Sequence, residues 1–259
     1  MVRLGSTDLL VSPLGTGAMA WGGGIVWNFG RGDYTEADVE GAFRASLSAG
    51  INFFDTAEVY GGGKAERVLG RFIKNANATV VVATKFMPFP WRLRPQSLLH
   101  ALKTSLERLG LSQVALYQIH WPLPPLSVED WMAPLADAVE AGLTRAVGVS
   151  NYNVDQMRRA HAALAKRGVP LASNQVEYSL LQRAPEQTGL LAACRELGVT
   201  LIAYSPLARG LLTGKYRPDR PAQGLRRIMF SKGRIAAIQP LTDLLLEIGE
   251  RHGDKTPGQ

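Results

Sequence analysis

Four side chains capable of acid–base chemistry fall at or just past the ends of three short apolar runs. Asp55 closes the run Ile51–Asp55, and Tyr60 follows within Phe53–Gly61. Lys85 follows Thr79–Thr84, and His120 closes Val114–His120. Taken singly, each has a plain structural reading. The aspartate caps a helix, the tyrosine packs beside the glycine run, the lysine is solvated and the histidine is an ordinary hydrogen-bonding residue. Brought to one place, a carboxylate, a phenol, an ammonium and an imidazole are the parts of a proton-transfer site. A phenol releases its proton near pH 10, and a neighbouring ammonium lowers that value. These four meet only if their runs are neighbouring strands of one sheet.

The elements that must position them alternate. Strand-like runs are Leu14–Ala18, Ile51–Asp55, Thr79–Thr84, Val114–His120, Thr144–Ser150, Leu171–Val176 and Thr200–Tyr204. Between them lie helical stretches at Thr35–Ala49, Lys64–Lys74, Pro95–Leu109, Val128–Ala141, Val154–Arg167 and Pro185–Leu197. Thr35 with Asp38 forms a capping-box pattern, and Gly50, Gly110, Gly142 and Gly198 stand just past helix ends. Strict β–α alternation implies a parallel sheet covered by helices. Met1–Ser12 reads as a hairpin turning at Ser6-Thr7-Asp8. Gly15-Thr16-Gly17-Ala18-Met19-Ala20 matches the dinucleotide pattern G-x-G-x-x-A. That pattern must open a helix, and the glycine- and tryptophan-rich stretch behind it, Trp21 to Gly32, forbids one. Seven βα units in a row favour a (β/α)8 TIM barrel over an open doubly wound sheet. In such a barrel chemistry gathers at the C-terminal strand ends, which puts Asp55, Tyr60, Lys85 and His120 on one rim.

Composition excludes several classes. The 259 residues are 46% hydrophobic and 20% charged, which rules out a disordered or collagen-like chain. No apolar run is long enough for a transmembrane helix, and Met1–Ser12 has no secretory pattern, so membrane insertion is not expected. One cysteine, Cys194, excludes an internal disulfide and a Cys-rich zinc site, and fits a reducing compartment. The four histidines form no H-x-x-x-H pair, so no metal is expected. Gly61–Ala65 lacks the ends of a phosphate loop, and Gly148–Tyr152 lacks the last glycine of a nucleophile elbow. The net charge is +7. The segment Arg209–Arg234 carries eight basic residues against one acid, Asp219, and so holds an excess equal to the whole. A nucleic-acid binder draws its basic face from several elements; one local segment instead suits a single anion such as a phosphate, or is simply a solvated loop.

The chain resembles the aldo-keto reductases, from Arg3 to its end. The resemblance is carried by FDTAEVYGGGKAERVLG (Phe54–Gly70), ATKF (Ala83–Phe86), YQIHWP (Tyr117–Pro122), GVSNY (Gly148–Tyr152), SNQVEYS (Ser173–Ser179) and AYSPLARGLLTGKY (Ala203–Tyr216). The branch it is most similar to holds plant, algal and cyanobacterial oxidoreductases, with potassium-channel β-subunits more distant. The resemblance implies reduction of an aldehyde or ketone with hydride from NADPH. Tyr60 is then the proton donor, Lys85 its tuner, Asp55 the orienter of Lys85 and also part of the cofactor site, and His120 the group that positions the carbonyl. It further implies that Ser150, Asn151 and Gln175 hold the nicotinamide carboxamide and that Tyr204 stacks on its ring. Ser205, Pro206, Leu207, Ala208 and Arg209 then wrap the pyrophosphate, with Lys215 nearby. That last segment coincides with the basic one found by counting. Trp21, Trp27, Trp91 and Trp121 follow strand ends and could line a pocket for a planar aldehyde or simply pack the rim.

The family pattern continues past Gln259 with a helix, an eighth strand and a loop that grips the adenosine 2′-phosphate. The expectation is a single NADP-dependent domain over 1–259 without its last βα unit, either a fragment or a form that a protein partner closes. A cofactor-binding regulatory or assembly subunit is the alternative to an enzyme. The expected compartment is the cytoplasm, or the plastid stroma if the source is a photosynthetic eukaryote.

Overall fold

The structure is a computed structural model that describes residues 1–23, 34–222, 227 and 230–259. Trp27, Gly24, Gly30, Gly32 and Arg226 lie outside the described residues. The chain divides into two compact units. One is Met1–Val176 with Thr188–Ile202; the other is Glu177–Gln187 with Ala203–Gln259.

The strands are β1 (Val2–Arg3), β2 (Leu10–Val11), β3 (Gly15–Gly17), β4 (Phe53–Asp55), β5 (Val81–Phe86), β6 (Val114–Ile119), β7 (Thr144–Ser150), β8 (Leu171–Glu177) and β9 (Thr200–Tyr204). The helices are α1 (Glu36–Ser48), α2 (Lys64–Ala76), α3 (Ser97–Leu109), α4 (Val128–Glu140), α5 (Val154–Ala165), α6 (Ala184–Gln187), α7 (Leu190–Leu197) and α8 (Lys232–Arg251). β1 and β2 form the expected antiparallel hairpin. β3 to β9 form one seven-stranded sheet in sequence order, with parallel pairing from β3 through β8. This is the repeating βα architecture of the (β/α)8 class, with seven of its eight strands among the described residues.

Local chemistry accounts for the helix ends. Thr35, Ser127 and Asn153 each close a capping box on α1, α4 and α5, which satisfies amide groups that a helix start leaves open. Two readings change. The stretch Pro185–Leu197 is not one helix: Gly189 takes φ +78° and separates α6 from α7. The 20-residue helix α8, which carries Pro240 in its interior, has no counterpart in the sequence reading, which names no helix after β9.

Strand alternation sorts side chains onto two faces. Phe54, Val82, Phe86, Tyr117, Ile119, Val147 and Val149 pack with the helices in the main core. The opposite face is layered. Phe53, Ala83, Leu116 and Ala146 join Leu4, Leu9 and Val11 of the hairpin in a second apolar cluster. Two residues further along the same strands come Asp55, Lys85, Gln118 and Gly148. The register aligns Lys85, Gln118, Gly148 and Ser173 in a single row across β5 to β8. Gly148 has a steric reason to be glycine: a Cβ there would stand 2.3 Å from Ser173 Oγ. Its absence lets that hydroxyl reach Gln118 Oε1 at 3.4 Å.

The second unit has its own small core of Ala208, Leu211, Leu212, Ala222, Phe230 and Ile235, built from a 3₁₀ segment at Ala208–Thr213 and α8. Among the described residues no helix is long and apolar enough to cross a membrane.

Candidate active site

The polar row above the hairpin plug gathers the expected side chains of the first unit. Lys85 is fully buried on β5. Its ammonium pairs with Asp55 at the end of β4 and donates to the Thr56 carbonyl at 2.8 Å. The Tyr60 hydroxyl lies 3.5 Å from Lys85 Nζ, and the ammonium sits 5.1 Å from the Tyr60 ring centre. His120 meets the Tyr60 ring edge-on at 5.7 Å. Its Nδ1 is buried without a hydrogen-bond partner among the described residues.

A buried ammonium is costly unless paired. Burial alone would lower the Lys85 pKa, but Asp55 and then Tyr60 outweigh it, so the ammonium is held above its usual value. Tyr60 behaves differently from the sequence expectation. Lys85 does pull its pKa down, yet burial is the larger effect and Asp55 adds to it, so the hydroxyl titrates above the ordinary 10. Burial, and then the charge of Lys85, hold His120 down to about 3. At neutral pH the site therefore holds a protonated phenol, an ammonium and a neutral imidazole.

The remaining first-unit candidates form a chain of bonds around this centre. Gln175 Nε2 donates to Asp55 Oδ2 at 2.9 Å. Ser150 Oγ donates to the Gln175 carbonyl at 2.8 Å. Asn151, in the left-handed region at φ +63°, donates from Nδ2 to the His120 carbonyl and to Ser150 Oγ, both at 3.0 Å. These two amides and one hydroxyl complement the donor and acceptor of a carboxamide, so the donor set fits a nicotinamide. The sequence reading passed over Gln118, whose amide approaches Asp55 Oδ2 at 3.5 Å. Its signal was a lone polar residue inside the apolar strand Val114–Ile119, two positions before His120.

The other candidates belong to the second unit. Tyr204 ends β9. Ser205, Ala208 and Arg209 all take positive φ, at +52°, +49° and +58°, and Pro206 and Leu207 lie between them. Turns of this kind present backbone amides to anions. Ala208, Arg209 and Arg234 line a cavity of about 360 Å³, with the Glu177 carboxylate 3.8 Å from Arg209. Lys215 does not line it; its ammonium lies over the Tyr216 ring at 4.8 Å. The cavity suits a phosphate-bearing group. Of the tryptophans, Trp21 is not on an open rim: it is buried among Phe43, Phe54 and Phe72. Trp91 is 72% exposed and stacked on Phe89, and Trp121 is partly exposed.

Comparison with known proteins places the fold. Residues 13–259 match the Aldo/keto reductase family. The chain is 40% identical to the chloroplastic pyridoxal reductase of Arabidopsis thaliana, over 99% of this chain and 72% of that protein. It is 31% identical to the NADH-specific methylglyoxal reductase of Escherichia coli, over 87% of this chain and 72% of that protein. The solved structure of a glycerol dehydrogenase from Gluconobacter oxydans superposes with a TM-score of 0.83 at 28% identity, covering 99% of this chain and 79% of that one. This chain belongs to the aldo/keto reductase family of oxidoreductases.

Proposed function

We propose that this oxidoreductase reduces the carbonyl of an aldehyde or ketone with NADPH, and that Tyr60 delivers the proton. The observation that carries the reading is the fully buried Lys85 ammonium, paired with Asp55 and 3.5 Å from the Tyr60 hydroxyl. A nicotinamide, when bound, supplies hydride to the carbonyl carbon. The oxygen then needs a proton, and Tyr60, kept protonated by burial, holds one at its hydroxyl. Once the proton leaves, the ammonium of Lys85 stabilises the phenolate; Asp55 keeps that ammonium in place. His120, neutral at physiological pH, offers a hydrogen bond to the carbonyl oxygen.

Ser150, Asn151 and Gln175 would hold the carboxamide, and Asp55 borders the same site. Tyr204 would face the nicotinamide ring, and Ser205, Pro206, Leu207, Ala208 and Arg209 would take the phosphates. The basic excess of Arg209–Arg234 supports the more anionic NADPH. The E. coli relative is named for NADH, so family membership alone leaves the choice to experiment. The Arabidopsis relative supports a planar heteroaromatic aldehyde as the first substrate to try and a plastid as the setting, with the cytoplasm as the alternative from the sequence reading.

The test is oxidation of NADPH and NADH followed spectrophotometrically with a panel of aldehydes that includes pyridoxal. Turnover is expected in the wild type. Tyr60→Phe should lower it by roughly 10²–10⁴, the usual share of general acid catalysis, with nicotinamide binding retained. Wild-type turnover in Tyr60→Phe would remove Tyr60 from the role.

A further inference from the structure

The segment after β5, from Met87 to Pro95, must hold the strand end that carries Lys85, yet it has few backbone bonds of its own. Pro88 and Pro90 have no N–H to give. Its internal bonds are Phe89 N–H to the Met87 carbonyl and Arg92 N–H to the Phe89 carbonyl, both at 2.8 Å. What grips it is a side-chain fork. Arg92 donates to Glu58 Oε1 at 2.5 Å and to Glu58 Oε2 at 3.1 Å, and also to the Met87 carbonyl at 2.8 Å. Its guanidinium lies over the Phe86 ring at 4.6 Å and the Phe89 ring at 5.5 Å. The pair is largely removed from water, with Arg92 23% and Glu58 8% exposed.

Glu58 closes the arrangement on the other side. Its carboxylate accepts from Met87 N–H at 2.6 Å, and its own N–H donates to the Lys85 carbonyl at 3.3 Å. The Phe86 carbonyl accepts from His120 N–H at 2.8 Å. The fork thus acts on the residue two before Tyr60 and the residue two after Lys85, and it stacks on the residue whose carbonyl holds His120. A bidentate guanidinium–carboxylate pair fixes orientation as well as distance.

We infer that Arg92, through Glu58, is a positioning residue that sets the Lys85 and Tyr60 segments in their working separation. This rests on the reading of Tyr60 and Lys85 as the acid and its tuner. Neither Arg92 nor Glu58 touches the reacting atoms in this account. A displacement of about 1 Å at a catalytic group can cost on the order of 10²-fold in rate, so the effect belongs in kcat.

The experiment compares wild type, Arg92→Met, Arg92→Lys and the double variant Glu58→Gln/Arg92→Met, using NADPH and 4-nitrobenzaldehyde as the probe aldehyde. The double variant leaves no unpaired buried charge and keeps an acceptor for Met87 N–H, so it decides the matter if Arg92→Met fails to fold. In folded variants kcat should fall about 10–100-fold, with KM for the aldehyde and Kd for NADPH within about threefold of wild type. Arg92→Lys should recover part of kcat, because an ammonium reaches one carboxylate oxygen but does not reproduce the fork. A kcat within twofold of wild type in a folded Met variant, or a change confined to KM, overturns the proposal. Tyr60→Phe is measured beside them. If it is inactive while the Arg92 variants keep their kcat, only the positioning role falls. If it keeps full turnover, the acid assignment and this inference fall together.

Discussion

Gln175 Nε2 donates to Asp55 Oδ2 at 2.9 Å across 120 residues of chain, so β8 holds the same carboxylate that pairs with Lys85. The Gln118 amide approaches that oxygen from β6. Asp55 is thereby oriented by two neutral donors and a cation on three different strands.

Replacing the neutral donor by a second carboxylate tests this arrangement. In Gln175→Glu two carboxylates would face each other in a largely buried site, and the new one would have its pKa raised above the unfolded value. A raised carboxyl pKa adds stability at low pH that is lost as pH rises through it. The variant should be less stable than wild type by about 3 kcal/mol at pH 7.5 and should recover most of that by pH 4.5. Urea denaturation at the two pH values measures it, and an equal deficit at both would contradict the account.

Lys85→Met should move the pH–rate profile. Burial already holds Tyr60 above pH 10 against the pull of Lys85. Without the ammonium, burial and Asp55 both act upward. Reduction needs the protonated phenol, so the alkaline fall in kcat should shift to higher pH. The rate at pH 7 should drop by about 10²-fold or more, because the phenolate loses its counter-charge. An alkaline limb at the wild-type position would show that Lys85 does not act on Tyr60.

His120 makes stability depend on pH in the acid range. Its imidazole is held down to about 3, first by burial and then by Lys85. A folded value below the unfolded 6.5 means that the unfolded chain takes up the proton first as pH falls. Stability is present above pH 6.5 and lost between there and pH 3. From pH 7 to pH 5 this group should cost the wild type about 2 kcal/mol that His120→Gln does not lose. Chemical denaturation of both proteins at pH 5 and 7 reads the difference directly.

Two ion pairs of the same chemistry should differ in worth because they differ in burial. Glu66 is fully buried, accepting from Thr84 Oγ1 at 2.7 Å and from Arg108 at 3.1 Å. Arg158 and Glu196 are both exposed. Arg108→Met strands a buried carboxylate and should cost about 3 kcal/mol. Arg158→Met should cost far less, because water screens an exposed pair. Denaturation midpoints at pH 7.5 separate the two, and similar losses would contradict the argument.

The alternation of strands and helices was legible because periodicity, caps and C-terminal glycines are local signals. Thr35 with Asp38 and the four glycines after helix ends act within a turn of chain. The strand ends of Asp55, Lys85 and His120 followed from the same signals, since each stands where an apolar run stops. α8 was not read from the sequence: it lies past the last of the seven strand-like runs, where no following strand marks a βα unit.

What the sequence by itself determined, then, was which residues stand at neighbouring strand ends. The tertiary structure decided how they behave. Trp21 followed a strand like the other tryptophans, yet three phenylalanines from distant segments enclose it. The net shift of Tyr60 depended on its burial, which no spacing encodes, and burial reversed the sign expected from Lys85 alone. Glu58 with Arg92, and Gln175 with Asp55, are pairs separated by 34 and 120 residues. Local pattern records the type of each partner, but desolvation and non-local register select the pairing, and both exist only once the chain has folded.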